Sequence, residues 1–169
     1  MPRAPHDPFA ALPAIAATQD PAARFAAIDT SFAQGVGHRL FTVLVVNWDQ
    51  GENQRCYTSN PAAYPVGGAK PITPGSLDAM AQGECRFLDT YADIAALFPD
   101  HALIRSLGCE SCVNIPVRWQ GRMIGMLNLL HQARWYQPAH IPEFAVMAGL
   151  AVPALQQVIA AWAAPPASG

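Results

Sequence analysis

The sequence predicts an α+β domain built on a central antiparallel sheet of five or six strands with helices packed against it. Two stretches, 41–59 and 111–130, read as strand hairpins, and a third, 142–162, reads as a long amphipathic helix. Hydrophobic residues make up 51% of the 169-residue chain and charged residues 13%, which suits one core and one domain.

Residues 1–20 are rich in Ala and Pro and read as a loosely held arm with one short helix near Phe9 to Ala17. The domain itself spans 21–162. Asp20 suits a helix cap and Pro21 the first turn, and Ala22, Phe25, Ile28 and Phe32 recur every three or four residues until Gly35 and Gly37. That spacing predicts a helix over 21–34. Phe41 to Trp48 (FTVLVVNW) is a β-branched run too short for a core helix, and Asp49, Gly51 and Asn53 supply turn chemistry before a second strand, Gln54 to Ser59. Residues 60–75 carry Pro61, Pro65, Gly67, Gly68, Pro71 and Pro74. Loops of that length are uncommon in compact domains unless they cover a site, so this one is a candidate lid.

Ser76 to Gln82 reads as a short helix and Cys85 to Leu88 as a short strand. Tyr91 to Phe98 and Pro99 to Leu107 read as two short helices divided at Pro99, the second closed by Gly108. Ser111 to Trp119 and Arg122 to Leu130 flank Gln120-Gly121, a two-residue connection suited to a tight hairpin. From Pro142 to Trp162, Phe144, Met147, Ala151, Leu155, Ile159 and Trp162 keep helical spacing, with Pro153 expected to kink the helix. Residues 163–169 read as a disordered tail.

The net charge is −2, and the ten basic residues are scattered, without a run that could follow a phosphate backbone; no nucleic-acid partner is expected. Pro2, Pro5, Pro8 and Pro13 interrupt the N-terminus and no uninterrupted stretch of 18 apolar residues occurs, so a cytoplasmic protein without a membrane partner is expected. In that compartment most of Cys56, Cys85, Cys109 and Cys112 are expected as thiols, which disfavours a structural disulfide framework. The G-x-x-x-x-G-K, G-x-S-x-G and H-E-x-x-H patterns of phosphate-binding, acyl-transfer and metalloprotease sites are absent.

Cys109-Glu110-Ser111-Cys112 is the sharpest local pattern: two thiols three apart at the start of a strand can close a disulfide, share a metal, or simply serve as small apolar residues. Along strand 111–119, alternation sends Cys112, Asn114, Pro116 and Arg118 to one face and Val113, Ile115 and Val117 to the other. Ile124, Met126 and Asn128 share a face of the neighbouring strand, which lets Asn114 and Asn128 meet a ligand together. Trp48, Tyr57 and Tyr64 are candidates for an aromatic lining, or for the rim of the core.

The order of elements, with the segments GECRFLDTYADIAALFPDH, CVNIPVRWQGRMIGMLNLL and YQPAHIPEFAVMAGLAVPAL, resembles the GAF domain family, a relative of PAS domains. The likeness is strongest in Ile115-Pro116-Val117, Gly121 and Gly125-Met126-Leu127. It implies terminal helices on one face of the sheet and a ligand-pocket segment on the other, and it implies a sensor or regulatory module for a small polar metabolite. In such domains the segment holding Asp89, Tyr91, Asp93, His101 and Arg105 caps the pocket, with Arg105 as a bidentate anchor for a carboxylate or zwitterion. With Cys85, Cys112, Asn114 and Asn128, these form the candidate ligand-binding set. The cyclic-nucleotide signature and a bilin-attachment cysteine are missing, so no cofactor is expected.

The family also contains free methionine-(R)-sulfoxide reductases, which Phe98-Pro99-Asp100-His101 and Cys85 resemble, although the cysteine spacing differs. A cysteine-dependent redox enzyme is therefore the alternative, with a low-pKa thiolate at Cys109 or Cys112 attacking and the other resolving. A domain acting without a fused output domain would be easier to explain by that alternative. A structural zinc site completed by Cys85 and His101 is a minor one. A homodimer is expected through the terminal helices, using Phe144, Met147, Leu155, Ile159 and Trp162.

Overall fold

The computed structural model describes residues 7–73 and 83–163. The helix expected over 76–82, the first six residues of the arm and residues 164–169 of the expected tail lie outside the described residues, whereas Ala163 ends the last helix. After a 3-10 turn at Pro8–Ala11 come α1 (Leu12–Ala16) and α2 (Pro21–Gln34), then β1 (Leu40–Asn47) and β2 (Glu52–Thr58). The long connection that follows contains β3 (Lys70–Pro71). Next are β4 (Arg86–Leu88), α3 (Tyr91–Leu97), α4 (His101–Ser106), the hairpin of β5 (Ser111–Trp119) and β6 (Arg122–His131), and α5 (Ile141–Ala163).

Local chemistry explains most boundaries. The Asp20 carboxylate accepts from the Ala23 amide at 3.0 Å and Pro21 opens α2, so the sequence-predicted helix 21–34 is found at those limits. Thr90 and Asp93 form a reciprocal capping box that starts α3. Gln120 (φ 50°) and Gly121 (φ 77°) both lie in the left-handed region, as a tight two-residue hairpin between β5 and β6 requires. Helix α5 continues through Pro153.

Six antiparallel strands form one sheet in the order β3-β2-β1-β6-β5-β4. On one face, Phe41, Val43, Val45, Val113, Ile115, Val117, Leu127 and Leu129 are buried against Phe25, Ile28 and Phe32 of α2 and Phe144, Met147 and Leu155 of α5. Tyr57 ties α2 to the sheet by donating to the Asp29 carboxylate at 2.8 Å, and His38 approaches the other oxygen of Asp29 at 2.7 Å.

Two expectations on this face are corrected. Ile124 does not share a face with Met126 and Asn128: the register shifts where Val117 pairs with Gly125 but Arg118 with Met123, and this bulge turns Ile124 into the helix-side core. Phe144, Met147 and Leu155 are each 0% exposed and occupied within the chain, so among the expected dimer contacts only Ile159 and Trp162 keep accessible surface.

By length and composition alone, Pro138–Trp162 could cross a membrane, with a mean hydropathy of 1.7. Its apolar run is interrupted by Glu143, Gln156 and Gln157. In the fold, one side of α5 is the lid of the main core.

Candidate functional site

The opposite face of the sheet is divided. Leu40, Tyr64, Leu88, Ile94, Ile104, Cys109, Cys112 and Leu130 form one small apolar cluster under α3 and α4. Val46, Met123 and Met126 form another toward the β1–β2 turn, where the Trp48 indole donates to the Met123 carbonyl at 2.6 Å. Between the two clusters lies a cavity of about 620 Å³, inside the range of small-molecule pockets.

Strand register makes its floor. Arg86 of β4 stands opposite Asn114 of β5, Asn114 opposite Asn128 of β6, and Asn128 opposite Thr42 of β1. The side chains bond along this row. Arg86 donates twice to Asn114 Oδ1, from Nε at 2.9 Å and Nη2 at 2.7 Å. Asn114 Nδ2 donates to Asn128 Oδ1 at 2.7 Å, and Asn128 Nδ2 donates to Thr42 Oγ1 at 3.2 Å. A buried amide is costly unless paired, and Asn114 is only 3% exposed, so the row holds its members in fixed orientations.

The cavity is closed on one side by the lid loop. Asn60 turns the chain there, its carbonyl accepting from the Tyr64 amide at 2.8 Å and its side chain from Ala63 at 3.1 Å. Tyr64 then points inward and donates its hydroxyl to Asp100 at 2.5 Å, beside α4. The Arg55 guanidinium of β2 stacks on the Tyr64 ring at 3.8 Å, lies 4.0 Å from Asp100 and donates to the Pro65 carbonyl at 2.8 Å. Burial and the adjacent Asp100 carboxylate both push the Tyr64 hydroxyl pKa up, which keeps it a donor.

The predicted residues separate into four places. Cys112, Asn114 and Asn128 line the cavity. Tyr91, His101 and Arg105 come together, but outside the cavity: Tyr91 Oη lies 2.7 Å from His101 Nδ1, the Arg105 guanidinium sits 4.3 Å over the Tyr91 ring, and Arg105 Nε approaches Glu110 at 3.8 Å. The loop Phe98-Pro99-Asp100 between α3 and α4 faces inward instead, and these side chains point away from it. Asp89 is exposed and lines a separate recess of about 220 Å³ with Arg134 and Tyr136. Cys85 packs with Phe87 on the helix-covered face, because alternation along β4 sends Arg86 alone to the cavity. Of the three aromatic candidates, only Tyr64 lines the chamber.

All four cysteines are free thiols. The low-pKa thiolate expected at Cys109 or Cys112 is corrected: burial pushes Cys109 up to about 11 and Cys112 up to about 12, outweighing the lowering influence of Arg39 on the first and Arg86 on the second. Among the described residues no group of three His, Cys, Asp or Glu side chains is placed to hold a metal, which removes the zinc alternative built on Cys85 and His101.

Arg86, Arg55, Thr42 and Asp100 escaped the sequence reading as site residues. Arg86 carried a signal, a charged residue between Cys85 and Phe87 in a short strand of an otherwise apolar sheet.

An antiparallel six-stranded sheet with helices on one face and a partly open, polar-floored cavity on the other defines the class of α+β domain. The family model for the GAF domain matches residues 22–155, and the chain belongs to that family. Among solved structures, the chain is similar to the GAF domain from an Acinetobacter phosphoenolpyruvate-protein phosphotransferase, at 10% identity and a TM-score of 0.71, covering 94% of this chain and 95% of that one. The corresponding GAF domain from Coxiella burnetii is 18% identical, covers 92% of each chain and has a TM-score of 0.63. A free methionine-R-sulfoxide reductase from Neisseria meningitidis, in complex with its substrate, is also 18% identical, with a TM-score of 0.65 over 89% of this chain and 87% of that one. These likenesses are of fold. No curated protein matches the chain.

Proposed function

We propose that this chain is a sensory or regulatory module that binds a small polar metabolite in the chamber between the sheet and the 60–107 segment. GAF domains bind small molecules in sensors and regulators. The observation that carries the reading is the polar row Arg86-Asn114-Asn128-Thr42 along the floor of a cavity whose walls include Leu44, Ile104, Met126 and Leu130. Fixed polar groups in an apolar enclosure are the usual recipe for orienting a small ligand.

The thiol-redox alternative is disfavoured by physics: at neutral pH, Cys109 and Cys112 stay protonated, and a protonated thiol is a poor nucleophile. We read the module as non-catalytic and cytoplasmic, with neither nucleic acid nor membrane as partner. Two copies pairing through α2 and α5, with Ile159 and Trp162 at the contact, belong to the same proposal.

Native mass spectrometry of freshly purified protein tests it. A retained small molecule, released on denaturation, is the expected result, and the same spectrum reports the oligomer. Protein that carries no small molecule and gains none when incubated with a metabolite extract would remove the reading.

A further inference from the structure

Charge on the cavity wall is unbalanced. Arg55, Lys70 and Arg86 face it, against the single carboxylate of Asp100 among the described lining residues. Asp100 is already engaged by the Tyr64 hydroxyl and by Arg55. Among the described residues Arg86 has no such partner: its two hydrogen bonds to them end on Asn114 Oδ1, a neutral amide oxygen, and no carboxylate there pairs with it. The guanidinium stays charged at any physiological pH, and it is half-buried. A cation taken partly out of water without a counter-charge is destabilising, and an arriving anion relieves that penalty.

Geometry favours the same ligand. Asn114 uses the Nε and Nη2 side of the guanidinium, which leaves the remaining N–H groups for a second acceptor. Asn114 is itself locked by Asn128, so the Arg86 fork is held before any ligand arrives. Thr42, at the far end of the row, accepts from Asn128 and keeps its hydroxyl proton to donate.

We propose that the chamber selects a small anion, a carboxylate or phosphate ester, whose oxyanion group is held by Arg86, with Thr42 reading a second polar group and Lys70 adding positive charge at the mouth. This rests on the reading of the cavity as a ligand chamber, and deepens it to a chemical class. Carboxylate and phosphate share the oxygen pair that a guanidinium fork recognises, so the test separates them.

Isothermal titration of the full chain at constant ionic strength, with four probes of similar size, makes that test: succinate, glycerol 3-phosphate, and the neutral succinamide and erythritol. At least one of the two anions is expected to bind, with the neutral probes at least tenfold weaker, and the preferred anion identifies the headgroup. In Arg86→Gln, affinity for that anion falls by about ten- to a hundredfold, as loss of a charged hydrogen-bonding partner implies, while Arg86→Lys recovers part of it. Circular dichroism spectra and melting curves of both variants establish that they are folded.

Neutral probes binding as well as the anions would overturn the anion inference and leave the chamber reading standing, as would undiminished anion binding by folded Arg86→Gln. Absence of heat from all four probes, with no molecule retained in the mass spectrum, would overturn both.

Discussion

Cys112 shows how one side chain's environment decides its chemistry. Asn114 Nδ2 approaches its sulfur at 3.4 Å and Arg86 is near, both of which favour the thiolate, yet complete burial wins and the thiol titrates at about 12 rather than its ordinary 9.0. The raised value fixes a pH dependence. Below pH 9 the thiol is protonated in folded and unfolded chains alike, and its contribution to stability is constant. Between pH 9 and about 12 only the unfolded chain releases the proton, so stability falls with rising pH, by about 1.4 kcal/mol per pH unit for this thiol. Urea unfolding at pH 8, 9, 10 and 10.5 is expected to give a shallower alkaline decline in Cys112→Ala than in the parent; parallel declines would refute the assignment. At this scale the sequence was readable where alternation alone governs, as for Asn114 and Asn128. It misled where a neighbour drew attention, since Cys85 was chosen and the adjacent Arg86, which faces the cavity, was passed over.

Among the elements, β6 depends on a glycine. A Cβ at Gly125 would lie 2.6 Å from the Leu44 carbonyl oxygen on β1 and 2.7 Å from Leu155 of α5, so the bare backbone is what lets the helix settle on the sheet there. The Leu155 side chain can move, but the β1 carbonyl is fixed in the ladder. Gly125→Ala is therefore expected to destabilise the fold by about 1–3 kcal/mol, the usual range for forced overpacking, measured as a shift in urea midpoint at unchanged slope. Wild-type stability in that variant would show that β1 and β6 can separate at no cost. Helix α2 and the β5–β6 hairpin were legible because their signals are local: Asp20-Pro21 for one, Gln120-Gly121 for the other. The bulges were not. Pairing of Val43 with Tyr57 but Leu44 with Arg55 leaves Cys56 and Tyr57 together on the helix face, and the displacement of Ile124 has the same origin. A bulge is set by the partner strand, and no alternation count on one strand reveals it. Strand β3 has two residues, too few to carry a pattern.

At the scale of the whole molecule, the sheet separates a tightly packed side from a side held by polar ties, and local stability should follow that division. The helix face buries Phe25, Phe32, Phe41 and Phe144 almost completely. Across the sheet, the lid loop is fastened by Tyr64 to Asp100, by Arg55 to the Pro65 carbonyl and by Gln54 to the Gly67 carbonyl at 3.0 Å. Only the first of these spans the cavity mouth, from the loop to the start of α4. Tyr64→Phe keeps the ring that Arg55 stacks on and removes that one hydroxyl, and the Asp100 carboxylate it leaves has a side chain 39% exposed and can be hydrated. The global cost is then expected to be near 1 kcal/mol or less, the net worth of one hydrogen bond, whereas amide exchange across 60–73 should quicken about fivefold or less, and α5 should be unchanged. Uniform acceleration over the loop and α5 would instead mean that the two sides of the sheet open as one unit. Exchange at the loop indistinguishable from the parent would assign the lid to its other ties, those to Arg55 and Gln54 and the β2–β3 pairing, and would remove Tyr64 as the residue that closes the chamber.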